Sequence, residues 1–227
     1  MRELTKRSQA MGIDLFEVTD CIITHEHIDH IKGIKTLVKH SDLKVWAAEK
    51  TFEAMEEVEQ KNVLIPHQPV VFGETKITPI PISHDAKSPL GFLVEDENKK
   101  ALVLTDTGKR PESVDKYLVD LDLVILEANH NLKMLQTGPY PFLLKKRIMS
   151  NYGHLSNQDS GAILADIVQK SIKPPLCFLA HLSEENNRPQ IALLDVGQAL
   201  KEKGVLPGRD ISLQVASQYK PSKLISI

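Results

Sequence analysis

Three histidines and an aspartate crowd into the last six residues of Thr24-His25-Glu26-His27-Ile28-Asp29-His30, directly after the apolar run at 21–23 and ahead of a helical pattern. Such a density of imidazole is foreign to an apolar core and unnecessary in a solvated polar loop, but it suits metal binding. Two imidazoles two apart on an extended turn send their rings to one side, so His25 and His27 can share an ion. Asp29 and His30 come where the chain turns into the helix and face a second one. Neutral imidazole combined with carboxylate suits zinc first, with manganese and iron as alternatives.

Six residues cannot fill two coordination shells, so a chain carrying this loop must bring ligands to it from elsewhere. Three candidates share one pattern, an apolar strand followed at once by a metal-binding residue type. His84 comes after the run at 77–82 in Ile-Ser-His-Asp-Ala, and Asp106 after 101–105 in Leu-Thr-Asp-Thr-Gly. His181 comes after 176–180 in Leu-Ala-His-Leu-Ser. Each alone is an ordinary polar residue at a sheet rim; together they are the donors the loop requires.

Strand-like runs at 21–24, 44–48, 76–82, 90–95, 101–105, 123–127, 176–180 and 211–216 alternate with helical patterns at 2–11, 30–40, 49–58, 111–117, 157–171 and 189–201. That alternation is α/β. The runs at 76–82, 90–95 and 101–105 follow one another with no helix between them, which predicts antiparallel meanders inside two mixed sheets with helices outside. Ser156 with Asp159 three residues on predicts a capping box at the start of the fifth helix. A length of 227 residues, 41% of them hydrophobic, suits one domain spanning 1–227.

Lys and Arg number 28 against 30 Asp and Glu, so a net charge of -2 gives no whole-molecule attraction to nucleic acid or to an anionic membrane. No run approaches the ~18 apolar residues of a membrane span, and the charged stretch at 1–12 has no apolar signal core. Cys21 and Cys177 each fall inside a strand-like run, where buried reduced thiols are expected. A cytoplasmic location follows.

The order of these motifs, from Thr24 to Ser183, resembles the metallo-β-lactamase superfamily. The resemblance implies an αββα sandwich of two mixed sheets with outer helices. It also implies that His25, His27 and His84 hold one ion, that Asp29, His30 and His181 hold the other, and that Asp106 bridges them. A hydroxide shared by the two ions would be the nucleophile. Proteins of this fold usually begin with strands that have no counterpart before Arg2, so the resemblance also implies an N-terminally truncated domain.

Within the superfamily, Leu126-Glu127-Ala128-Asn129-His130, Tyr140-Pro141 with Leu144-Lys145 and Arg147-Ile148, and Gly153-His154-Leu155-Ser156-Asn157 resemble the WalJ (YycJ) group, which is associated with DNA exonuclease action. Glu127 and His154 also resemble the glutamate and histidine that deliver a proton at phosphate in the tRNase Z enzymes. With Asp29 they make up the expected catalytic set. The stretch from Ala128 to Gln158 has no acidic residue and carries Lys133, Lys145, Lys146 and Arg147. Lys145, Arg147 and His130 are therefore the expected substrate-binding residues, although 145–147 also fits the solvated face of a helix. Tyr140, Phe142 and Tyr152 are candidate stacking surfaces. For Asn186 and Asn187 the expected task is capping the helix near Pro189. The expected activity is phosphodiester hydrolysis on nucleic acid. A cyclic phosphodiesterase, a glyoxalase II-like thioesterase and a non-catalytic binding protein are the competing readings.

Overall fold

The apolar runs become strands, and the helical spacers decide which strands pair in parallel. In the computed structural model, which describes residues 2–55, 58–223 and 225, the chain begins with α1 (Arg2–Ala10) and a 3-10 turn (Leu15–Glu17). There follow β1 (Asp20–Ile22), α2 (Ile28–Ile31), α3 (Ile34–Lys39), β2 (Lys44–Ala47), α4 (Glu49–Glu53) and β3 (Lys61–Val63). A run of strands comes next: β4 (Val70–Phe72), β5 (Thr75–Pro81), β6 (Leu90–Asp96) and β7 (Lys99–Leu104). A 3-10 segment (Glu112–Tyr117) leads to β8 (Leu123–Glu127), α5 (Leu132–Thr137), α6 (Phe142–Ile148) and α7 (Asn157–Gln169). The last elements are β9 (Leu176–Ala180), α8 (Pro189–Glu202) and β10 (Ser212–Val215).

The strands sort into two sheets, β1-β2-β3 and β10-β9-β8-β7-β6-β5-β4. The larger sheet is mixed: β4 to β7 pair antiparallel as the meander predicts, and β7 to β10 pair in parallel. The smaller sheet pairs only in parallel among the described residues, where a mixed one was expected. Helical crossovers explain this, because α2 with α3 and then α4 intervene between its successive strands.

Side-chain alternation turns the two sheets into layers. In β2, Val45 and Ala47 are buried with Ile34 of α3 and Phe52 of α4. Trp46, on the opposite face, joins the seam between the sheets with Leu64, Leu90 and Phe92. The far face of the larger sheet presents Leu102, Leu104, Val124, Leu126, Cys177 and Leu179 to Leu164 and Ile167 of α7 and Val196 and Leu200 of α8. The result is helices, sheet, sheet, helices. Truncating any of these fully buried leucines to alanine would cost about 2–5 kcal/mol, which keeps the strand ends below rigid. No helix among the described residues is long and apolar enough to cross a membrane.

Several elements differ from expectation. The helix expected at 30–40 begins earlier and breaks at Gly33, a residue that costs roughly 0.5–1 kcal/mol inside a helix. The one expected at 49–58 ends at Glu53, and of its remainder residues 56 and 57 lie outside the described residues. The segment after Pro111 is a 3-10 helix. At the start of α7 the Ser156–Asp159 capping box forms as read, and it fixes the path of the two residues just before it.

Candidate active site

Four strands of the larger sheet deliver polar side chains to one rim. β7, β8 and β9 are adjacent and parallel, and β5 lies two antiparallel steps from β7, so all four end on the same side. Just beyond those ends lie His84, Asp106 and His181, and Glu127 is the last residue of β8. The loop after β1 reaches the same rim, where the Leu90 amide donates to the Thr24 carbonyl at 3.0 Å. Asp106 and His181 both have φ of 57°, a region that non-glycine residues enter at a cost and that here sets the direction of each side chain.

Every residue expected to bind metal meets there. Donor atoms of His25, His27 and His84 lie within 4.8 Å of one another, as do those of Asp29, His30 and His181, and those of His25, His30 and Asp106. Asp106 stands between the two triads: one carboxylate oxygen is 3.6 Å from His30 Nε2, the other 3.3 Å from His181 Nε2 and 4.0 Å from His84 Nε2. His25 Nε2 and Asp106 Oδ2 are buried without a hydrogen-bond partner. Buried atoms of this kind are costly unless a cation meets them, so the donor set fits a pair of divalent ions.

The rings are aimed from behind. His84 Nδ1 donates to the Gly153 carbonyl (3.1 Å) and His181 Nδ1 to Glu127 Oε1 (2.7 Å), which leaves each Nε2 lone pair facing inward. The Thr24 hydroxyl lies 3.1 Å from His25 Nδ1 and 3.2 Å from His30 Nδ1. Burial, reinforced by the imidazoles around it, pushes His25 down to about 2 and keeps it neutral, as a ligand must be. Burial also lowers His84. It disfavours a charged His181 too, but the hydrogen bond and charge of Glu127, helped by Asp106 and Asp29, win and raise it to about 9. A bound cation would take the place of that proton.

Glu127 is wholly buried and accepts four hydrogen bonds: from His154 Nδ1 (2.8 Å), His181 Nδ1 (2.7 Å) and the Thr107 and Leu155 amides (3.0 and 3.2 Å). Burial alone would raise its carboxyl, but the bonds from His154 and His181 outweigh it and hold the group at about 2. Donor atoms of Asp106, Glu127, His154 and His181 also approach within 4.8 Å. Since the Glu127 oxygens are already filled, that group is a hydrogen-bonded chain reaching outward from the metal ligands. Its outer end is His154, whose ring centroid is 5.0 Å from that of His84 and 5.3 Å from that of His181.

A cleft of about 1050 Å³ opens beside Asp29, His154 and His181, walled by Tyr140, Arg147, Arg188 and Tyr219. Arg147 is where a substrate-binding residue should be, its Nε on the Asp85 carboxylate. Lys145 and His130 stand apart from that wall. The Lys145 ammonium donates to the Gln136 carbonyl at 2.8 Å and is not part of the cleft wall. His130 is 1% exposed behind the rim, with neither ring nitrogen partnered, and burial lowers it to about 4. Burial makes it a neutral interior group. Phe142 and Tyr152 are exposed but outside the wall.

Asn187 does not cap α8, whose N-cap is Arg188. Its amide donates instead to the Ala128 and Asn129 carbonyls (2.8 and 3.2 Å) and to Asn157 Oδ1 (2.8 Å), tying the end of β8 to the loop after His181. Gly153 carries a role that the motif around it hinted at. A Cβ there would come within 2.1 Å of the Ile148 carbonyl oxygen, so only glycine lets this turn set its own carbonyl on His84.

A family model described as "Beta-lactamase superfamily domain" matches residues 4–174. Exodeoxyribonuclease YycJ of Bacillus anthracis is 33% identical over 218 residues, 93% of this chain and 82% of that protein. Exodeoxyribonuclease WalJ of Streptococcus pneumoniae is 31% identical over 214 residues, 91% of this chain and 79% of that protein. Among solved structures, the metallo-beta-lactamase fold protein YhfI of Bacillus subtilis superposes with a TM-score of 0.66 at 18% identity, over 92% of this chain and 80% of that one. A diphosphatase from the PhnP family gives 0.61 at 18% identity, over 93% and 73%. These last two share the fold. The chain belongs to the metallo-β-lactamase superfamily, as a metal-dependent hydrolase of the group that contains YycJ and WalJ.

Proposed function

We propose that this hydrolase is a DNA exonuclease that cleaves phosphodiester bonds at a dinuclear centre. His25, His27 and His84 would hold one ion and Asp29, His30 and His181 the other, with the Asp106 carboxylate between the two triads. The observation that carries the reading is the Glu127–His154 pair, a hydrogen-bonded imidazole on the cleft wall that stands beside the metal ligands without being needed as one. The names of the YycJ and WalJ relatives support the same substrate class.

Two divalent ions, zinc first, would supply Lewis-acid stabilisation of charge on phosphate and a bound water whose pKa is brought to about 7. The protein's own groups do the rest. Glu127 accepts the Nδ1–H of His154 and fixes the ring, so that in its imidazolium form the ring hands its Nε2 proton to the departing oxygen of the DNA backbone and is left neutral. Arg147, pre-set by Asp85, offers its remaining N–H groups to a phosphate. Cys21 and Cys177, both free thiols, accord with a cytoplasmic enzyme.

The test is one comparison of metal-reconstituted protein on linear single- and double-stranded DNA, circular single-stranded DNA, RNA, a cyclic nucleotide and a thioester. Mononucleotide release from linear DNA, with circular DNA left intact, is the expected result. Turnover of the cyclic nucleotide or the thioester with all DNA untouched would refute it.

A further inference from the structure

We infer that the cleft contains a nucleoside subsite, in which the base of the end nucleotide beside the scissile phosphate lies against Tyr140 and Tyr219. The inference rests on the nuclease reading and narrows it.

Tyr219 is the first reason. Its ring is 68% exposed, yet it is held: the hydroxyl donates to the Glu184 carboxylate, and the amide donates to Ser217 Oγ at 3.2 Å. The residue before it is fixed as well, because the Arg7 guanidinium of α1 donates to the Gln218 carbonyl at 2.7 Å. An aromatic ring that serves packing is buried. One that is anchored at its edge and left open offers a face to something else.

Tyr140 is the second. It lines the same cleft, half-buried, between Pro139 and Pro141, whose rings restrict the backbone on both sides. Leu144 and Leu182 add apolar surface to the same wall. Of the two arginines in the wall, Arg147 is paired with Asp85, and Arg188 donates to the Glu184 and Asn187 carbonyls. A duplex held by its backbone calls for a row of cations. This wall offers aromatic and apolar surface with few cations, which suits one base and its phosphate. An interior base of a duplex is covered on both faces, whereas an end nucleotide has a free face, so tyrosines in the wall suit the end of a strand.

Two measurements test this. With metal-free protein, a single-stranded oligonucleotide carrying 2-aminopurine at its terminal nucleotide should lose fluorescence on binding. Tyr140→Ala and Tyr219→Ala should each weaken that binding roughly 5- to 150-fold, the span of one base stacked on one aromatic ring, while Tyr140→Phe retains most of it. With metal-loaded protein, an oligonucleotide abasic at the terminal nucleotide should raise the wild-type KM to that of the Tyr140→Ala/Tyr219→Ala double variant on intact DNA, with kcat nearly unchanged, and the double variant should not distinguish the two substrates. Equal losses by Tyr219→Ala on intact and abasic DNA would mark the ring as merely structural and overturn the inference. So would wild-type indifference to the abasic end. If the wild type cleaves no DNA at all, the nuclease reading falls, and this one with it.

Discussion

Glu127→Gln changes the shape of the site hardly at all and should uncouple the two metal ions. The carboxylate serves two backbone amides through Oε2 and two imidazoles, those of His154 and His181, through Oε1. A glutamine has one oxygen. If that oxygen keeps the Thr107 and Leu155 amides, the NH₂ faces both Nδ1 atoms, which must then accept, and the ring protons move to Nε2. On His181 that is the atom the cation needs. If the amide flips, two buried backbone N–H groups lose their acceptor at about 1–3 kcal/mol each, so the first arrangement prevails. Losing such a supporting carboxylate typically weakens metal binding about 10- to 100-fold, close to 1.4–2.8 kcal/mol. The triad of His25, His27 and His84 should be spared, because Thr24 and Gly153 hold its back nitrogens. Zinc titration against a competing chelator should find one ion held as in the wild type and one weakened by that factor. Wild-type affinity for both ions in a folded Glu127→Gln protein, or equal weakening of both, would refute the tautomer reasoning.

Three further outcomes are expected. His154→Ala should retain both metals and the fold but slow phosphodiester cleavage about 10²- to 10⁴-fold, while a nitrophenyl ester, whose leaving group needs no proton, is hydrolysed nearly as fast as before; loss of a metal would make His154 a ligand instead. Gly153→Ala should destabilise by about 1–3 kcal/mol and weaken zinc binding by loosening the carbonyl behind His84; an unchanged denaturation midpoint would contradict the close approach of Gly153 to Ile148. Asp122 is buried, which alone would raise its carboxyl, but hydrogen bonds from Lys173, the Lys100 amide and Lys99 hold it below the usual range. A carboxylate depressed in the folded state stabilises above its unfolded pKa of about 3.9 and loses that contribution as pH falls through the lower folded value. Asp122→Asn should therefore cost about 1–2 kcal/mol at pH 7, and almost nothing in acid below the folded pKa. Urea melts across that range check this, and a pH-independent difference would sink it.

The residues that gather at the candidate metal centre were legible because few other demands bring those residue types to strand ends. His84, Asp106 and His181 each follow a long apolar run whose period is plain, and such runs were placed within a residue or two. The three-residue strands β3 and β4 are too short to show a period, and Gly33 splits a helical pattern that looks continuous. The supports behind the ligands were legible only in part. Glu127 stood out in its motif, but its second partner, His181, depends on β8 and β9 being neighbours, which no local pattern states. Gly153's carbonyl and the Thr107 amide are groups that nearly every residue owns, and only the path of the chain selects them. His130 is harder to read for the opposite reason: a histidine three residues beyond the end of β8 turns inward as readily as outward, and here its side chain is buried.

The same division bears on what decides the substrate. Two ions on imidazoles and carboxylates would serve a phosphodiester and a thioester alike, so the strand-end residues settle the chemistry and leave the substrate open. The cleft wall comes instead from the α5–α6 connection, α6, the loop after β9 and the segment after β10. Those segments lie outside the sheets, where residues change without disturbing the ligands. Exchanging Tyr140, Arg147 and Tyr219 should accordingly alter which ester is cleaved while zinc stoichiometry stays at two, and a loss of bound metal in those variants would show that wall and centre are not separable.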